Sequence, residues 1–170
     1  SGGPVPAVDP LTGIVSVPAG TPAGVYNIGY NLCEKLNTTN CDPATITVTV
    51  GAPPIVADPN TYTGINGATG NSNVGNVLSN DTVNGVPATL GGSGNAVLTV
   101  NTPAASLPGA PVGSPVPVLD PATGVVAVPA GTPAGTYTIS YKLCDKINPT
   151  NCKETTVTVT VDPAPIVATN

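Results

Sequence analysis

Between Thr136 and Cys144 apolar and polar residues alternate without a break: Tyr137, Ile139, Tyr141 and Leu143 on one side, Thr138, Ser140 and Lys142 on the other. From Thr155 to Val161 the same rhythm sets Val157, Val159 and Val161 against Thr156, Thr158 and Thr160. A period of two belongs to an extended strand with one face in a core and the other in water. Val, Ile, Tyr and Thr suit such a half-buried pleated surface. Two antiparallel strands are therefore predicted, joined as a hairpin through Asp145–Asn151, where Asn148-Pro149 supplies the turn. Upstream, Val116–Leu119 and Val125–Val128 flank Asp120-Pro-Ala-Thr-Gly124, with Asp opening the turn, Pro following it and Gly closing it. Ala96–Asn101, Asn76–Leu78 and Pro54–Ala57 are further strand candidates, which gives about seven strands with a turn signal every 8–15 residues.

The pattern occurs twice. Residues 1–50 align without a gap on residues 112–161, a constant shift of 111, and 32 of the 50 positions are identical. Val17–Gly24 and Val128–Gly135 are the same eight residues, and Tyr26, Ile28, Tyr30, Leu32 and Cys33 match Tyr137, Ile139, Tyr141, Leu143 and Cys144. Pro54–Ala57 recurs at Pro165–Ala168, so a further unit begins there. The organisation read from this repeat is the C-terminal part of one unit in 1–50, a complete unit in 52–162, and the start of the next in 163–170. A unit of about 111 residues suits a sandwich domain rather than a solenoid turn. The alternative is two small domains of 50–60 residues per unit, each of which would bury little surface.

Ala134-Gly135-Thr136-Tyr137 opens the penultimate strand in the manner of a tyrosine corner, whose hydroxyl bonds back to the backbone. Tyr26 and Tyr137 are accordingly assigned as structural tyrosines. The predicted fold class is all-β, an antiparallel immunoglobulin-like or cadherin-like β-sandwich repeated in tandem. Each copy carries one Cys-x7-Cys pair, Cys33/Cys41 and Cys144/Cys152, placed at the end of one strand and the start of the next. Zinc knuckles use tighter Cys spacing, commonly with His, and the chain has no His. A catalytic thiol would need an activating base beside it. A disulfide across each hairpin is the reading, and it points to an oxidising compartment.

Composition narrows the function. Gly (20) and Pro (21) are abundant, yet they punctuate alternating Val/Thr runs, so the chain reads as turn-rich β structure rather than as disorder. Four Lys, no Arg and a net charge of −5 leave no basic footprint for nucleic acid or anionic membranes. No apolar run approaches the length that spans a bilayer. General acid–base work would fall to Asp, Glu, Lys or Tyr. The acidic positions kept in both copies, Asp9/Asp120 and Glu34/Asp145, are accounted for by a turn and an exposed hairpin loop. Gly91-Gly92-Ser93-Gly94 precedes no helix and reads as a loop rather than a phosphate cradle. No enzyme activity and no cofactor are expected.

Calcium is the alternative, because carboxylates at repeat junctions can hold it. Its ligands would be Asp58, Asn60, Asp81 and Asp162, with Asn80 beside them. Asp162 becomes Gly51 one unit earlier and Asp58 becomes Thr169 one unit later, so such a site would not recur at every junction. The outward Thr rows resemble flat ice-binding arrays, but Thr is an ordinary solvent-facing strand residue. Asn37-Thr-Thr and Asn80-Asp-Thr match the N-glycosylation triplet.

The run VPAGTPAGTYTISYKLCDKINPTNCKETTVTVTV, with DPATGVV before it and NVLSNDT early in the unit, resembles the repeats of giant surface adhesins of Bacteroidota, especially flavobacteria. The mobile adhesins of gliding motility are similar. The resemblance implies export by the type IX secretion system and display as a long cell-surface filament that grips a substratum. It also implies O-glycosylation at Thr82, within Asp81-Thr82-Val83. Related repeats open with an Asp-Asp pair where this chain has Ala57-Asp58-Pro59-Asn60, a departure that bears on calcium. The function expected is a stalk or spacer repeat of an extracellular, cell-surface adhesin, with neighbouring repeats as its partners. The alternative is a repeat that itself binds a surface polysaccharide, another filament or a partner protein. A sheath or surface-layer component differs from both in assembling laterally.

Overall fold

The computed structural model describes residues 3–168. The chain forms two compact units, Ser1–Ala52 and Pro53–Asn170. In the first, β1 (Ala7–Val8) pairs with β2 (Val15–Ser16), and β3 (Gly24–Cys33) pairs with β4 (Cys41–Val50) in an unbroken antiparallel register from Gly24↔Val50 to Cys33↔Cys41.

The second unit is a sandwich. Its strands are β5 (Ile55–Val56), β6 (Asn60–Asn66), β7 (Asn71–Asn76), β8 (Thr82–Val83), β9 (Val86–Pro87), β10 (Ala96–Thr102), β11 (Val118–Leu119), β12 (Val125–Val128), β13 (Gly135–Asp145) and β14 (Cys152–Asp162). One sheet has the order β10-β13-β14-β6 and the other β11-β12-β7, while β5, β8 and β9 form a small third sheet. Tyr137, Ile139, Tyr141 and Leu143 of β13 and Val157, Val159 and Val161 of β14 meet Leu119, Val126 and Val128 from the facing sheet in one core. The period-two rhythm places them there, since alternate side chains of a strand share a face. The unit is an immunoglobulin-like or cadherin-like all-β sandwich.

Three details depart from the sequence-based expectation. Pairing is antiparallel except between β14 and β6, which run parallel with Val157↔Asn60 and Val161↔Ile65 in register. Asn76–Leu78 does not continue as a strand. Asn76 ends β7 and its side chain accepts a hydrogen bond from the Leu78 amide, which caps a 3-10 turn over Val77–Asn80. The strands β6 and β7, with the Asn/Gly-rich sequences NTYTGIN and NSNVGN, were not among the candidates.

Chain entry and exit lie at opposite ends of this unit. The Pro53 carbonyl accepts from the Asn151 side chain at 2.7 Å, beside the start of β14. The chain leaves β14 at Asp162, 11 residues along, which at strand rise is roughly 33 Å away.

Candidate functional site

Three polar constructions stand out. The first is the tyrosine corner. The Tyr137 hydroxyl donates to the Pro133 carbonyl at 2.8 Å, and Tyr26 donates to Pro22 at the same distance in the first unit. Burial pushes the Tyr137 phenol above its ordinary pKa. The turn before it works alike in both copies. The Asp120 carboxylate accepts from the Ala122 amide at 2.9 Å and the Thr123 hydroxyl at 2.7 Å, and these bonds hold its pKa low.

The second is the pair of hairpin disulfides, Cys33–Cys41 and Cys144–Cys152, each joining directly opposed residues with Cα atoms 4.0 Å apart. The loop of the second hairpin differs from its expected exposed state. Asp145 is 3% exposed. Its carboxylate accepts from the Ile147 amide and the Asn148 side chain, which turns the acid inward to satisfy the loop.

The third is a buried cluster around Tyr141. Its hydroxyl lies 3.1 Å from Asn60 Oδ1, 3.4 Å from Asp81 Oδ2 and 3.5 Å from the Val77 carbonyl, so several acceptors compete for one proton. The other Asp81 oxygen accepts from the Asp58 amide at 2.9 Å, and Asn60 donates to Asn80 at 3.0 Å. Asp81 is 1% exposed. Burial raises its pKa, against the opposing pull of the Asp58 amide and Tyr141, and burial together with the Asp81 charge raises the Tyr141 phenol. The cluster ties β13 to the segments carrying β6 and the 3-10 turn, in a setting where each polar group must find a partner.

The calcium candidates do not all converge. Asp58, Asn60, Asn80 and Asp81 come together, but both Asp81 oxygens face protein donors. Asp162 is exposed and pairs with Asn66, five residues along β14 from the Val157 position that pairs with Asn60, about 17 Å away at strand rise. Among the described residues, no group of three or more His, Cys, Asp or Glu side chains could hold a metal ion. Thr82, the glycosylation candidate, is half-buried in β8 opposite Val56 and Pro87.

A groove of about 300 Å³ runs between β6 and β7, lined by Thr61, Tyr62, Asn66 and Asn71 among others. The Tyr62 ring lies across Gly75 so closely that a Cβ there would fall 2.3 Å from it. Sequence reasoning left Tyr62 unassigned, and its ring packs against the core. Among the described residues no helix is long and apolar enough to cross a membrane.

No protein-family model matches the chain, and no curated protein matches it. Solved structures that it is similar to include the human desmocollin-1 ectodomain (14% identity, TM-score 0.43, 76% of this chain and 24% of that one). Another is the protocadherin gammaB7 EC3-6 cis-dimer (14%, TM-score 0.42, 84% and 33%). A third is mouse cadherin-23 EC22-24 (13%, TM-score 0.41, 94% and 50%). The chain thus spans about a quarter to a half of the length of these structures.

Proposed function

We propose that this chain is a spacer segment of an extracellular, repeat-built adhesin, in which each unit adds length and carries tension. The observation that carries the reading is the placement of entry and exit at opposite ends of the second unit, at Pro53 beside Asn151 and at Asp162 beyond β14. A unit so built adds roughly 33 Å between the points where the chain enters and leaves it. Tension between those points pulls the parallel strands β6 and β14 past one another, loading their hydrogen bonds together rather than one at a time. The disulfide in each hairpin supports an oxidising, extracellular setting. Display on the surface of a Bacteroidota cell, export by the type IX system and a part in gliding extend the same reading, and rest on the sequence resemblance.

The test is single-molecule stretching of the 170-residue chain held by its ends. Cooperative unfolding of the second unit, weakened when Thr158→Pro removes a β14 amide, supports a tension-bearing spacer. Gradual extension without a cooperative event contradicts it. A second reading, glycan binding, is favoured by the polar groove beside Tyr62. A specific glycan-array hit abolished by Asn71→Ala would replace the spacer reading.

A further inference from the structure

Between β10 and β11 the chain runs from Pro103 to Pro117 without helix or strand, long enough that such a connection in a compact domain is usually functional or flexible. Its two ends are fixed. Ala104 is buried in the core, Leu107 and Val116 pack against it, and Pro117 is closed off. Between these anchors two successive turns stand in solvent. The Ala110 amide donates to the Leu107 carbonyl and the Ser114 amide to the Pro111 carbonyl, each at 3.1 Å. Gly109 and Gly113, the third residues of these turns, both have a φ of +82°, and a Cβ on either would meet nothing within 4 Å. A turn of this kind asks for glycine at that position. The loop's own Pro and Gly residues thus hold it outward.

Val112, in the second turn, is fully exposed. The other exposed large aliphatics within residues 53–162 sit in backbone that is held. Val56, Val86, Val97 and Val118 lie in β5, β9, β10 and β11, each hydrogen-bonded to a neighbouring strand. Ile147 lies in the loop that Cys144–Cys152 closes, and its amide donates to the Asp145 carboxylate. An endopeptidase takes its substrate as several extended residues, which a paired strand or a cross-linked loop does not release. Ala110 precedes Pro111, and a bond whose nitrogen is a proline ring resists such enzymes. Pro111 instead fixes φ just ahead of Val112 and lowers the cost of an extended conformation there.

We infer that Val112–Gly113 is a processing site, the bond within residues 53–162 that a serine endopeptidase with a small apolar pocket cuts first, and that the cut unit stays assembled. The cut hydrolyses one amide. The enzyme's serine takes the Val112 acyl group, Gly113 departs as the free amine with the serine's proton, and water then releases Val112 as a carboxylate. Strands from the two sides of the bond interleave. In the order β10-β13-β14-β6 the outer two precede the bond and the inner two follow it, and β7 before it pairs with β12 after it. Neither disulfide spans the bond, so packing and strand pairing alone join the two pieces. Under load a cut unit would be held through contacts such as β6 against β14 instead of through its backbone. That consequence rests on the spacer reading, whereas the cut itself does not.

The experiment digests the native 170-residue chain with a small amount of neutrophil elastase, which cuts after valine, and follows intact mass with time. The first cut within residues 53–162 is expected at Val112–Gly113. The piece ending at Val112 and the piece beginning at Gly113 are expected to co-elute in native size exclusion and to separate in denaturant without reduction. Val112→Asp, at a fully exposed position, is expected to slow this cut at least tenfold while leaving the thermal unfolding of the second unit unchanged. Four outcomes overturn the inference: no cut within 53–162; a first cut there at another bond; cutting of Val112→Asp at the unchanged rate; or separation of the two pieces under native conditions. Cooperative unfolding of the uncut chain under load is a separate readout, so failure of the spacer reading and failure of the processing site are told apart.

Discussion

Residues 1–50 and 112–161 are identical at 32 of 50 positions, and both form a long hairpin closed by a disulfide and anchored by a tyrosine corner. In one copy Leu143 is fully buried; in the other Leu32 is 73% exposed. What the copies share is local: turn, corner, register and cross-link, all built within about forty residues of chain. What they do not share is a core, which needs the strands of residues 53–111. Alternation in sequence specifies a face that can be buried, and only a partner turns that face into an interior.

Paired substitutions test the contrast. The largest effect is expected from Leu143→Ala, about 2–5 kcal/mol of lost stability for a large-to-small change in a closed core. Leu32→Ala should stay within about 0.5 kcal/mol, as exposed substitutions do. Chemical denaturation of each variant of the whole chain checks the pair, and equal effects would abolish the contrast.

Replacing both Cys144 and Cys152 by Ser is expected to cost about 2.5 kcal/mol on the loop-entropy model. The second unit should remain folded, because its core persists. The same change at Cys33 and Cys41 should melt β3–β4, since a two-stranded hairpin is marginal in water. The cross-strand NMR contacts of each hairpin report the outcome.

Tyr141→Phe removes the one donor shared by Asn60 and Asp81, with an expected loss of about 1–3 kcal/mol for buried acceptors left short. Tyr30→Phe should change nothing measurable, because that hydroxyl has water available.

The smallest effect concerns pH. The folded-state pKa of Asp81 is raised by burial, so between its ordinary value near 3.8 and the raised one the folded state holds more protons than the unfolded state. Its contribution is therefore full below pH 3.8 and is lost as pH rises through the folded pKa. Asp120, whose pKa is lowered, acts in the opposite sense and in a lower window, contributing above its ordinary value and losing that contribution as pH falls. Asp81→Asn should flatten the decline of second-unit stability above pH 3.8 while leaving the acid limb unchanged, as denaturant midpoints against pH would reveal.

The strands β13 and β14 were legible because their alternation is unbroken and their residues favour strands wherever one face is covered. The strands β6 and β7 were not. Asn60–Asn66 and Asn71–Asn76 are rich in Asn, Thr and Gly, and they become strands because β14 and β12 offer them edges. A pairing across some 97 positions, such as Asn60 with Val157, leaves no local trace. The Tyr141 cluster was hidden for the same reason. Asp81 has the sequence setting of a solvated turn acid, and its burial depends on a tyrosine 60 residues away. The Asp145 loop shows the reverse case, where a short-range Asx turn draws inward an acid that spacing alone would leave outside.

The most direct measurement is amide hydrogen exchange on the unmodified 170-residue chain, read at Tyr137–Leu143 and at Tyr26–Leu32. The expected result is exchange at the rate of global unfolding for the first stretch, which lies between β10 and β14, and exchange at least a hundredfold faster for the second, which among the described residues has a partner on one side only. Equal protection of the two stretches would contradict the claim that residues 53–111 supply the core.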